Sequence, residues 1–375
     1  SPDGSRVLTA AGTRDDGASF DFVAMVFHAD RLASLALDEK RHCHSAFVDA
    51  QASLVVAACD DQTAIRWRLD DSGEALIMSG HQAWVANAIP SPNGDRTITV
   101  SFDKTARIFR TDEPGNPVVL MGHSAPVRGA AWSPDGTRVI TVSDDKTARI
   151  QAATGLGDVM ELSGHTDGLT AAAYAPDGQR IVTASLDQTA RIWTTDRRTE
   201  PIVLKGHTGA VLAAAWSPDG QRIATASADW SARIWDTLTG AELAAFEHEG
   251  RVSRVAFAPD GQRIATASAR SRISVFQTDG MREPHVFQFD DSILHLHFMN
   301  HGRQLLVVGP GRHTRTFTID AETIMQLLRE ANSECLPVEM RRTYLGESDE
   351  SALHGFATCE RVQGRTPLPP ERLHP

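Results

Sequence analysis

The chain has 375 residues and a formal net charge of −11, from 37 basic and 48 acidic residues. Binding to nucleic-acid phosphates or to an acidic membrane surface needs a positive patch, so this balance argues against both kinds of partner. Hydrophobic residues make up 41% of the chain, enough for a large core, but no apolar stretch approaches the roughly 18 residues that a membrane helix needs.

The first four residues, Ser-Pro-Asp-Gly, are a turn signal that elsewhere in the sequence follows an apolar run. We therefore expect residues 1–38 to be a repeat unit that lacks its innermost strand. On this interpretation the chain begins inside a structural unit and is a piece of a longer protein.

Three sequence marks recur along the chain with a step of 42 or 41 residues. The first mark is a Gly-His pair that starts at positions 80, 122, 164 and 206. The second is a Ser-Pro-Asp-Gly-like turn that recurs from 91–94 to 299–302. The third has the form Ser-x-Asp-x-Thr-Ala-Arg-Ile and lies around Asp61, Asp103, Asp145, Asp187 and Asp229. Between the marks each unit has four short apolar runs bounded by Gly, Asp and Pro, which predicts four antiparallel strands. Because such a unit cannot bury its faces alone, four strands in about 40–45 residues indicate the blade of a β-propeller.

The number of blades stays open at this stage. Six complete units run from about 43 to 288, and a last unit at about 293–320 supplies three strands. If a strand near Arg31–Leu37 completes the last blade, seven blades form and the first hairpin is left over. If a missing inner strand lies before Ser1, eight is the better count.

At these residues the chain resembles the WD-repeat β-propeller family, over roughly residues 1–320. Trp235-Asp236 shows the literal Trp-Asp pair that names the family, and other units have Trp, Phe or Gln at the first of these positions. The resemblance implies an all-β propeller in which a His, a Ser, an Asp and an aromatic residue of each unit form a structural hydrogen-bond network. The complete sets are His165, Ser185, Asp187 and Trp193, and His207, Ser227, Asp229 and Trp235.

Taken alone, each of these sets also has the residue types of a hydrolase, because a nucleophilic serine needs a nearby base and a third group that orients the base. An active site is built once, whereas this set recurs in register, so we interpret it as structural and expect no catalytic residue. Two His-x-His pairs, His42 with His44 and His295 with His297, could each line one side of a strand and hold a metal. No zinc-site spacing and no Gly-rich phosphate loop accompanies them, so we predict neither a metal nor a cofactor.

A propeller collects loops from every blade at its broad end, and the resemblance marks three positions per unit that face it. Several of these positions hold large side chains where small or polar ones are expected, and aromatic residues beside arginines are typical of binding hot spots. The predicted partner-binding residues are Phe102, Arg128, Asp144, Leu186, Leu212 and Trp230. The alternative is that each of them packs against an adjacent loop. A separate series on the third strands is expected to form a ring of outward or edge charges that keeps the surface soluble: Arg107, Arg149, Arg191 and Arg233.

After Asp320 the spacing of apolar residues becomes helical, beginning at Ile324. We predict three helices in a C-terminal extension over 321–365, the third around Ser351–Arg361, followed by a Pro-rich disordered tail over 366–375. The run from Cys335 to Gly346 resembles the C-terminal extension of bacterial multidomain WD-repeat proteins. Such proteins typically carry a kinase, NTPase or protease-like signalling domain upstream.

The four cysteines, at positions 43, 59, 335 and 359, show no CxxC pairing and are too few for a disulfide scaffold. Reduced thiols in the cytoplasm are therefore expected, with a bridge between Cys335 and Cys359 as the alternative for that pair.

Together these features predict a non-enzymatic scaffold or sensor module that binds protein partners through its loop-rich face and is attached to an upstream signalling domain. The alternative is a propeller enzyme, a hydrolase or lyase with or without a metal, whose site lies in the central channel. The degraded last unit, with His295, His297 and His301, is the candidate for such a site.

Overall fold

The structure, a computed structural model, describes most of the chain between residues 43 and 319 and a few residues outside that range. The described residues are 6–11, 23–28, 43–48, 54–68, 75–111, 115–196, 199–280, 284–289, 292–309 and 314–319, with Ser348, His354, Ala357 and Thr358. The chain divides into two compact units, Arg31–Thr316, and Ser1–Asp30 with Phe317–Pro375. In the second of these units, β1 (Arg6–Ala11) and β2 (Val23–His28) pair as an antiparallel hairpin.

The remaining described strands form seven antiparallel sheets in chain order, one for each repeat, and these are the blades of a propeller. Blade 1 is β3 (Cys43–Val48), β4 (Leu54–Cys59), β5 (Ala64–Arg68) and β6 (Leu76–Met78). Blade 2 is β7 (Val85–Pro90), β8 (Arg96–Ser101), β9 (Ala106–Arg110) and β10 (Val118–Leu120). Blade 3 is β11 (Val127–Trp132), β12 (Arg138–Ser143), β13 (Thr147–Ala152) and β14 (Met160–Ser163). Blade 4 is β15 (Leu169–Tyr174), β16 (Arg180–Ser185), β17 (Thr189–Thr194) and β18 (Ile202–Lys205).

The last three blades continue the same order. Blade 5 is β19 (Val211–Trp216), β20 (Arg222–Ser227), β21 (Ser231–Asp236) and β22 (Glu242–Glu247). Blade 6 is β23 (Val252–Phe257), β24 (Arg263–Ser268), β25 (Arg272–Gln277) and β26 (His285–Gln288). Blade 7 has three described strands, β27 (His295–Met299), β28 (Gln304–Val308) and β29 (Thr314–Thr318). Short 3-10 turns at Ala269–Ser271 and Asn300–Gly302 join strands in blades 6 and 7.

The second strand of each blade is deeply buried. In β16, for example, every residue after Arg180 is buried. The reason is that this strand has a neighbour on each side in its own sheet and is covered on both faces by adjacent blades. Such a strand favours a continuous run of β-branched and small residues over alternation, and β16 reads Arg-Ile-Val-Thr-Ala-Ser.

The inner strands of blades 1–6 share a register shift after their first residue. In blade 5, Val211 pairs with Ser227 and Ala213 pairs with Ala226, so Leu212 has no cross-strand partner. A bulge of this kind turns one side chain out of the regular pleat. It therefore supplies one side chain per blade to the end of the propeller where the inner strands begin.

Blade 7 packs against blade 1 and closes the ring. One core cluster contains Cys43 of blade 1 together with Leu306 of blade 7, and the ring centroids of Phe47 and His295 lie 5.0 Å apart. In the described part of the chain the propeller thus has seven blades, which decides between the two counts that the sequence left open. The strand expected near Arg31–Leu37 lies outside the described residues.

Cys43 and Cys59 form a disulfide bond, so the prediction of reduced thiols is wrong for this pair. The two residues lie opposite each other on β3 and β4. In blade 2 the same cross-strand pair is Val85 with Ser101. A CxxC spacing detects only cysteines that lie close together along the chain, whereas an antiparallel register brings residues 16 positions apart into direct opposition.

Most of the predicted C-terminal extension lies outside the described residues, and so do Cys335 and Cys359. Within the third predicted helix, His354, Ala357 and Thr358 are helical. In the part of the chain that the structure describes, no helix is long and apolar enough to span a membrane.

Candidate interaction face and the histidine networks

A cavity of about 580 Å³ opens at the end of the propeller where the inner strands begin. Its walls come from the first residues of the inner strands and from the turns between second and third strands. Five of the six predicted partner-binding residues line it, namely Phe102, Arg128, Asp144, Leu186 and Leu212. We call it the channel-mouth cavity.

One wall of the channel-mouth cavity is a row of four contacting side chains. Phe102 lies with its ring centroid 6.0 Å from that of Trp84 and 4.7 Å from Cζ of Arg128. Arg128 Nε donates to both carboxylate oxygens of Asp144, at 2.9 and 3.0 Å. Because a cation–π contact and an ion pair both depend on direction, they hold Phe102 and Arg128 in fixed orientations.

The apolar residues of the face differ in their surroundings. Leu186 is 41% exposed, and Trp84 is 56% exposed. Trp230 is equally exposed, but it lies at the turn between β20 and β21 with a φ of 71° and does not line the channel-mouth cavity. The structure therefore groups five of the predicted residues and leaves Trp230 apart from them.

Two arginines of the cavity, Arg251 and Arg254, were not predicted. Arg254 Nε donates to the carbonyl oxygen of Leu294 at 2.8 Å and so joins blade 6 to blade 7. In blades 2–5 the corresponding register positions hold Asn87, Gly129, Ala171 and Ala213. A long cationic side chain at an otherwise small position is the sequence signal that could have found Arg254.

A chain of hydrogen bonds runs through blade 4. Trp193 Nε1–H donates to Thr183 Oγ1 at 2.8 Å. His165 Nε2 lies 2.8 Å from the same hydroxyl, and His165 Nδ1 lies 2.8 Å from Asp187 Oδ2. A neutral imidazole protonated on Nδ1 satisfies all of these groups, because the threonine hydroxyl then donates to Nε2 and Nδ1–H donates to the carboxylate.

Ser185 lies beside this chain rather than in it. Its Oγ accepts the backbone N–H of Asp187 at 3.1 Å and donates to the carbonyl oxygen of Gly168 at 3.0 Å, so it secures the turn that carries the carboxylate. Thr183, which the sequence analysis missed, links the imidazole to the indole. A threonine two residues before the serine was the available signal, and it recurs at Thr99, Thr141, Thr183, Thr225 and Thr266.

Burial and hydrogen bonding set the charges in this network. Burial lowers the pKa of His165 below 6.5, and the hydrogen bond to Asp187 opposes this only in part. Burial raises the pKa of Asp187, but hydrogen bonds from Thr189, His165 and the Thr166 amide outweigh it and hold that pKa at about 2. At neutral pH the imidazole is therefore neutral and the carboxylate is ionised, as the direction of the hydrogen bonds requires.

The His–Asp pair recurs in four consecutive blades. The distances from Nδ1 to Oδ2 are 2.8 Å for His81–Asp103, 2.8 Å for His123–Asp145, 2.8 Å for His165–Asp187 and 2.7 Å for His207–Asp229. In blade 5, Trp235 Nε1–H again donates to Thr225, at 2.8 Å. In blade 6, Arg270 replaces the aspartate, and His248 Nδ1 lies 3.0 Å from the carbonyl oxygen of Phe246 instead.

The family model described as WD domain, G-beta repeat, matches five segments in a row, residues 74–110, 116–150, 157–194, 199–236 and 240–277. The chain is a WD-repeat propeller. Each matched segment contains the outer strand of one blade and the first three strands of the next. No curated protein matches the chain at a significant level.

In these WD repeats the Gly-His pair packs against the arginine of the third strand. A Cβ on Gly164 would lie 2.8 Å from Arg191 Nη1, and one on Gly206 would lie 2.9 Å from Arg233 Nη1. The arginine series that was expected to form outward or edge charges is half-buried, and Nε of Arg191 is buried without a hydrogen-bond partner among the described residues. These arginines are therefore partly covered by the repeats and do not point fully outward.

Replacing Gly164 by alanine is expected to lower the free energy of unfolding by about 1–3 kcal/mol. The residue has a φ of +144°, and the new Cβ would also displace the Arg191 guanidinium. Gly157→Ala is the matched control, because Gly157 has a φ of +95° with open space around it. Urea unfolding of both variants measures the difference, and equal losses would contradict the contact with Arg191.

The two His-x-His pairs are the candidate metal ligands of these WD repeats. Within the described ranges, no three His, Cys, Asp or Glu side chains lie together as a metal site would need. His295 and His297 stack with their centroids 6.3 Å apart, and burial lowers the pKa of His295 to about 3. Cys43, which follows His42, is bonded to Cys59 and cannot serve as a thiolate ligand.

Proposed function

We propose that the protein is a non-enzymatic interaction module that binds a protein segment at the channel-mouth cavity. The observation that carries this proposal is the convergence of Phe102, Arg128, Asp144, Leu186 and Leu212, from four different blades, on one open cavity. Ligand sites are concave, with volumes of about 300–1,000 Å³, and they combine apolar walls with a few oriented polar groups. The channel-mouth cavity has this size and this composition.

Exposure of the apolar wall favours a macromolecular partner. Burial of Leu186 and Trp84 by a partner would recover hydrophobic free energy at about 25 cal/mol per Å² of apolar surface. The Arg128 side chain is 43% exposed even though it is paired with Asp144, so it can still donate to a carbonyl or carboxylate of a bound segment. An aromatic and arginine centre of this kind is typical of the residues that carry most of the binding energy at protein interfaces.

Replacing Phe102 and Leu186 together by alanine is expected to weaken binding of a protein partner at least about tenfold. Affinity capture with the intact chain and with the double variant identifies candidate partners. Titration of each purified candidate against both proteins then measures the change in Kd. Thermal unfolding of the double variant checks that the fold is retained.

Trp230→Ala is the matched control for this experiment. Trp230 is as exposed as Trp84 but lies outside the channel-mouth cavity, so its loss is expected to leave the Kd unchanged. Identical capture by the intact chain and by the Phe102→Ala/Leu186→Ala variant would overturn the proposal. Loss of capture with Trp230→Ala alone would place the interaction surface elsewhere.

We infer that this module acts in the cytoplasm as the sensing or scaffolding part of a bacterial signalling protein. The support is the resemblance of the segment after Cys335 to the C-terminal extension of such proteins. The net charge of −11 favours a protein partner over nucleic acid or a membrane. The bond between Cys43 and Cys59 is compatible with a reducing compartment, because both residues are buried and a thiol reaches them only when blade 1 opens.

A further inference from the structure

Neighbouring blades are joined by an arginine at the end of the propeller opposite the channel-mouth cavity. In three blades the arginine that begins the second strand donates to a glycine carbonyl in the next blade: Arg96 Nη2 to Gly136 at 2.9 Å, Arg180 Nη2 to Gly220 at 2.9 Å and Arg222 Nη2 to Gly261 at 2.7 Å. The same guanidinium groups lie near the aromatic ring that ends the next inner strand, at 5.0 Å from Trp132, 5.0 Å from Trp216 and 5.9 Å from Phe257. We call this contact the arginine clamp.

The clamp between blades 4 and 5 shows what a guanidinium needs at this position. Arg180 Nε donates to Asp177 Oδ2 at 2.9 Å, and its Nη1 donates to Thr237 Oγ1 at 3.1 Å. Its Nη2 donates to the carbonyl oxygen of Gly220, and Trp216 covers the group. A carboxylate, a hydroxyl and a carbonyl thus surround one planar cation.

The same three acceptors are present between blades 3 and 4. The positions that correspond to Asp177, Gly220 and Thr237 are Asp135, Gly178 and Thr195. All three line a cavity of about 320 Å³. We call it the blade 3–4 cavity.

Arg138, which is in register with Arg180, does not close this clamp. Its side chain is exposed, whereas Arg96, Arg180 and Arg222 are half-buried. A Cβ on Gly178 would have only atoms of Pro134 within 4 Å, while the corresponding arginine is near a Cβ on Gly220. Among the described residues, the Arg138 guanidinium makes no hydrogen bond or ion pair.

The carboxylate of this cavity also lacks its usual partner. In blades 2, 4, 5 and 6 a turn aspartate lies within 3.9 Å of an arginine of the same blade: Asp95 with Arg96, Asp177 with Arg180, Asp219 with Arg222 and Asp260 with Arg263. Asp135 has no ion pair within the described ranges. Hydrogen bonds from Ser133 and then Thr137 hold the pKa of Asp135 at about 2, so it is ionised at neutral pH.

Tyr174 distinguishes this boundary from the others. It takes the place of Trp132 and Trp216, whose indole N–H groups donate to carbonyl oxygens of the preceding blade, each at 3.1 Å. Tyr174 is 9% exposed, and its hydroxyl is buried with no hydrogen-bond partner among the described residues. Because a buried hydroxyl without a partner is costly, it indicates a place where a bound group supplies one.

We propose that the blade 3–4 cavity binds the guanidinium group of an arginine side chain from another polypeptide. The acceptor set is the one that holds a guanidinium between blades 4 and 5, and the Tyr174 hydroxyl oxygen is a further acceptor for a guanidinium N–H. The cationic group that faces the cavity from β12 is Arg138, which competes with the ligand. This site is separate from the channel-mouth cavity, because Arg128 lies near the start of β11 and Ser133 directly follows its end.

The tyrosine content of the chain gives a direct test. There are two tyrosines, so protein labelled with ¹³C-tyrosine has two sets of ring signals, and a Tyr344→Phe variant assigns those of Tyr174. Titration with Nα-acetyl-L-arginine amide is expected to shift the Tyr174 signals saturably and to leave those of Tyr344 in place. Nα-acetyl-L-citrulline amide has nearly the same shape without the charge, and it is expected to bind at least about tenfold more weakly.

Three variants test the residues of the site. Asp135→Asn is expected to raise the Kd at least about fivefold, and Arg138→Ala to lower it severalfold by removing the competitor. Asp219→Asn is the matched control, because the clamp between blades 5 and 6 is already occupied by Arg222. This variant is expected to leave the Kd of the arginine compound unchanged. Absence of a saturable shift in the unmodified protein, equal binding of the citrulline compound, or binding that appears only in Arg138→Ala would each overturn the proposal.

Discussion

Acidification from pH 7 to pH 3 is expected to lower the free energy of unfolding in two stages. The histidines of the four His–Asp pairs have folded-state pKa values below 6.5, mainly because they are buried. Below that pH the unfolded chain therefore binds protons that the folded chain excludes. Asp103 and Asp187 have folded-state pKa values of about 2 against 3.8, so a second loss begins below about pH 4. In both stages the unfolded state binds more protons, and stability falls as the pH falls.

The free energy lost in the second stage follows from the pKa values of the two aspartates. The difference between 3.8 and about 2 corresponds to about 2 kcal/mol for each aspartate, of which about half is lost by pH 3 and the rest at lower pH. Solvent screening changes this little, because the two carboxylate side chains are 8% and 5% exposed. Urea unfolding at a series of pH values from 7.5 to 3 measures both stages.

Glutamine at His165 and His207 provides the control for the first stage. The double variant removes two titrating imidazoles, so it is expected to be less stable at pH 7 but to lose less stability between pH 6.5 and 4. A free energy of unfolding that stays constant from pH 7.5 to 4 in the unmodified protein would contradict neutral, buried imidazoles in these networks.

Replacing Asp229 by alanine is expected to lower the free energy of unfolding by about 1–3 kcal/mol. The carboxylate accepts from His207 Nδ1–H at 2.7 Å and from the Thr208 amide at 3.0 Å. The His207 side chain is 1% exposed, so water cannot replace the lost acceptor without opening the blade. Asp187→Ala is expected to have the same effect in blade 4.

Asp236→Ala is the matched control for Asp229→Ala. Asp236 belongs to the literal Trp-Asp pair, and its carboxylate accepts from Leu238 and Thr239 in the adjoining turn, outside the imidazole network. Its loss is expected to lower the free energy of unfolding less than Asp229→Ala does, because the Asp236 carboxylate faces solvent and water can replace it as the acceptor. Thermal and urea unfolding compare the variants. Unchanged stability in both Asp187→Ala and Asp229→Ala would show that the carboxylates do not support the networks.

The blades could be predicted from the sequence because a repeat of 42 residues must make the same local contacts each time. The number of blades could not, because it depends on which units meet when the ring closes. That closure places Cys43 of the first blade and Leu306 of the last blade in one core cluster, and the sequence carries no pattern that relates the two. The bond between Cys43 and Cys59 escaped prediction for a similar reason, since its cause is a cross-strand register and not a spacing motif.

The candidate face was predictable to the extent that it follows the repeat. Phe102 and Leu186 hold the same register position, so knowing where one of them faces fixes where the other faces. Arg254 departs from the repeat by its size and was not predicted. Trp230 was predicted to belong to the face, but it follows its turn aspartate and lies outside the cavity. The role of Thr183 could be identified only from the structure. A threonine in a buried strand has no sequence feature that shows whether its hydroxyl links two side chains by hydrogen bonds or only packs in the core.

The His–Asp pairs occupy blades 2–5, whereas Glu39 and Phe289 stand in the register of the histidine in blades 1 and 7. The His–Asp pairs therefore support one continuous arc of four blades, and the junction between blades 7 and 1 lies outside that arc. The five predicted residues that line the channel-mouth cavity all belong to blades 2–5. A partner that binds there meets side chains whose supporting turns are already locked, so little ordering entropy is lost on binding.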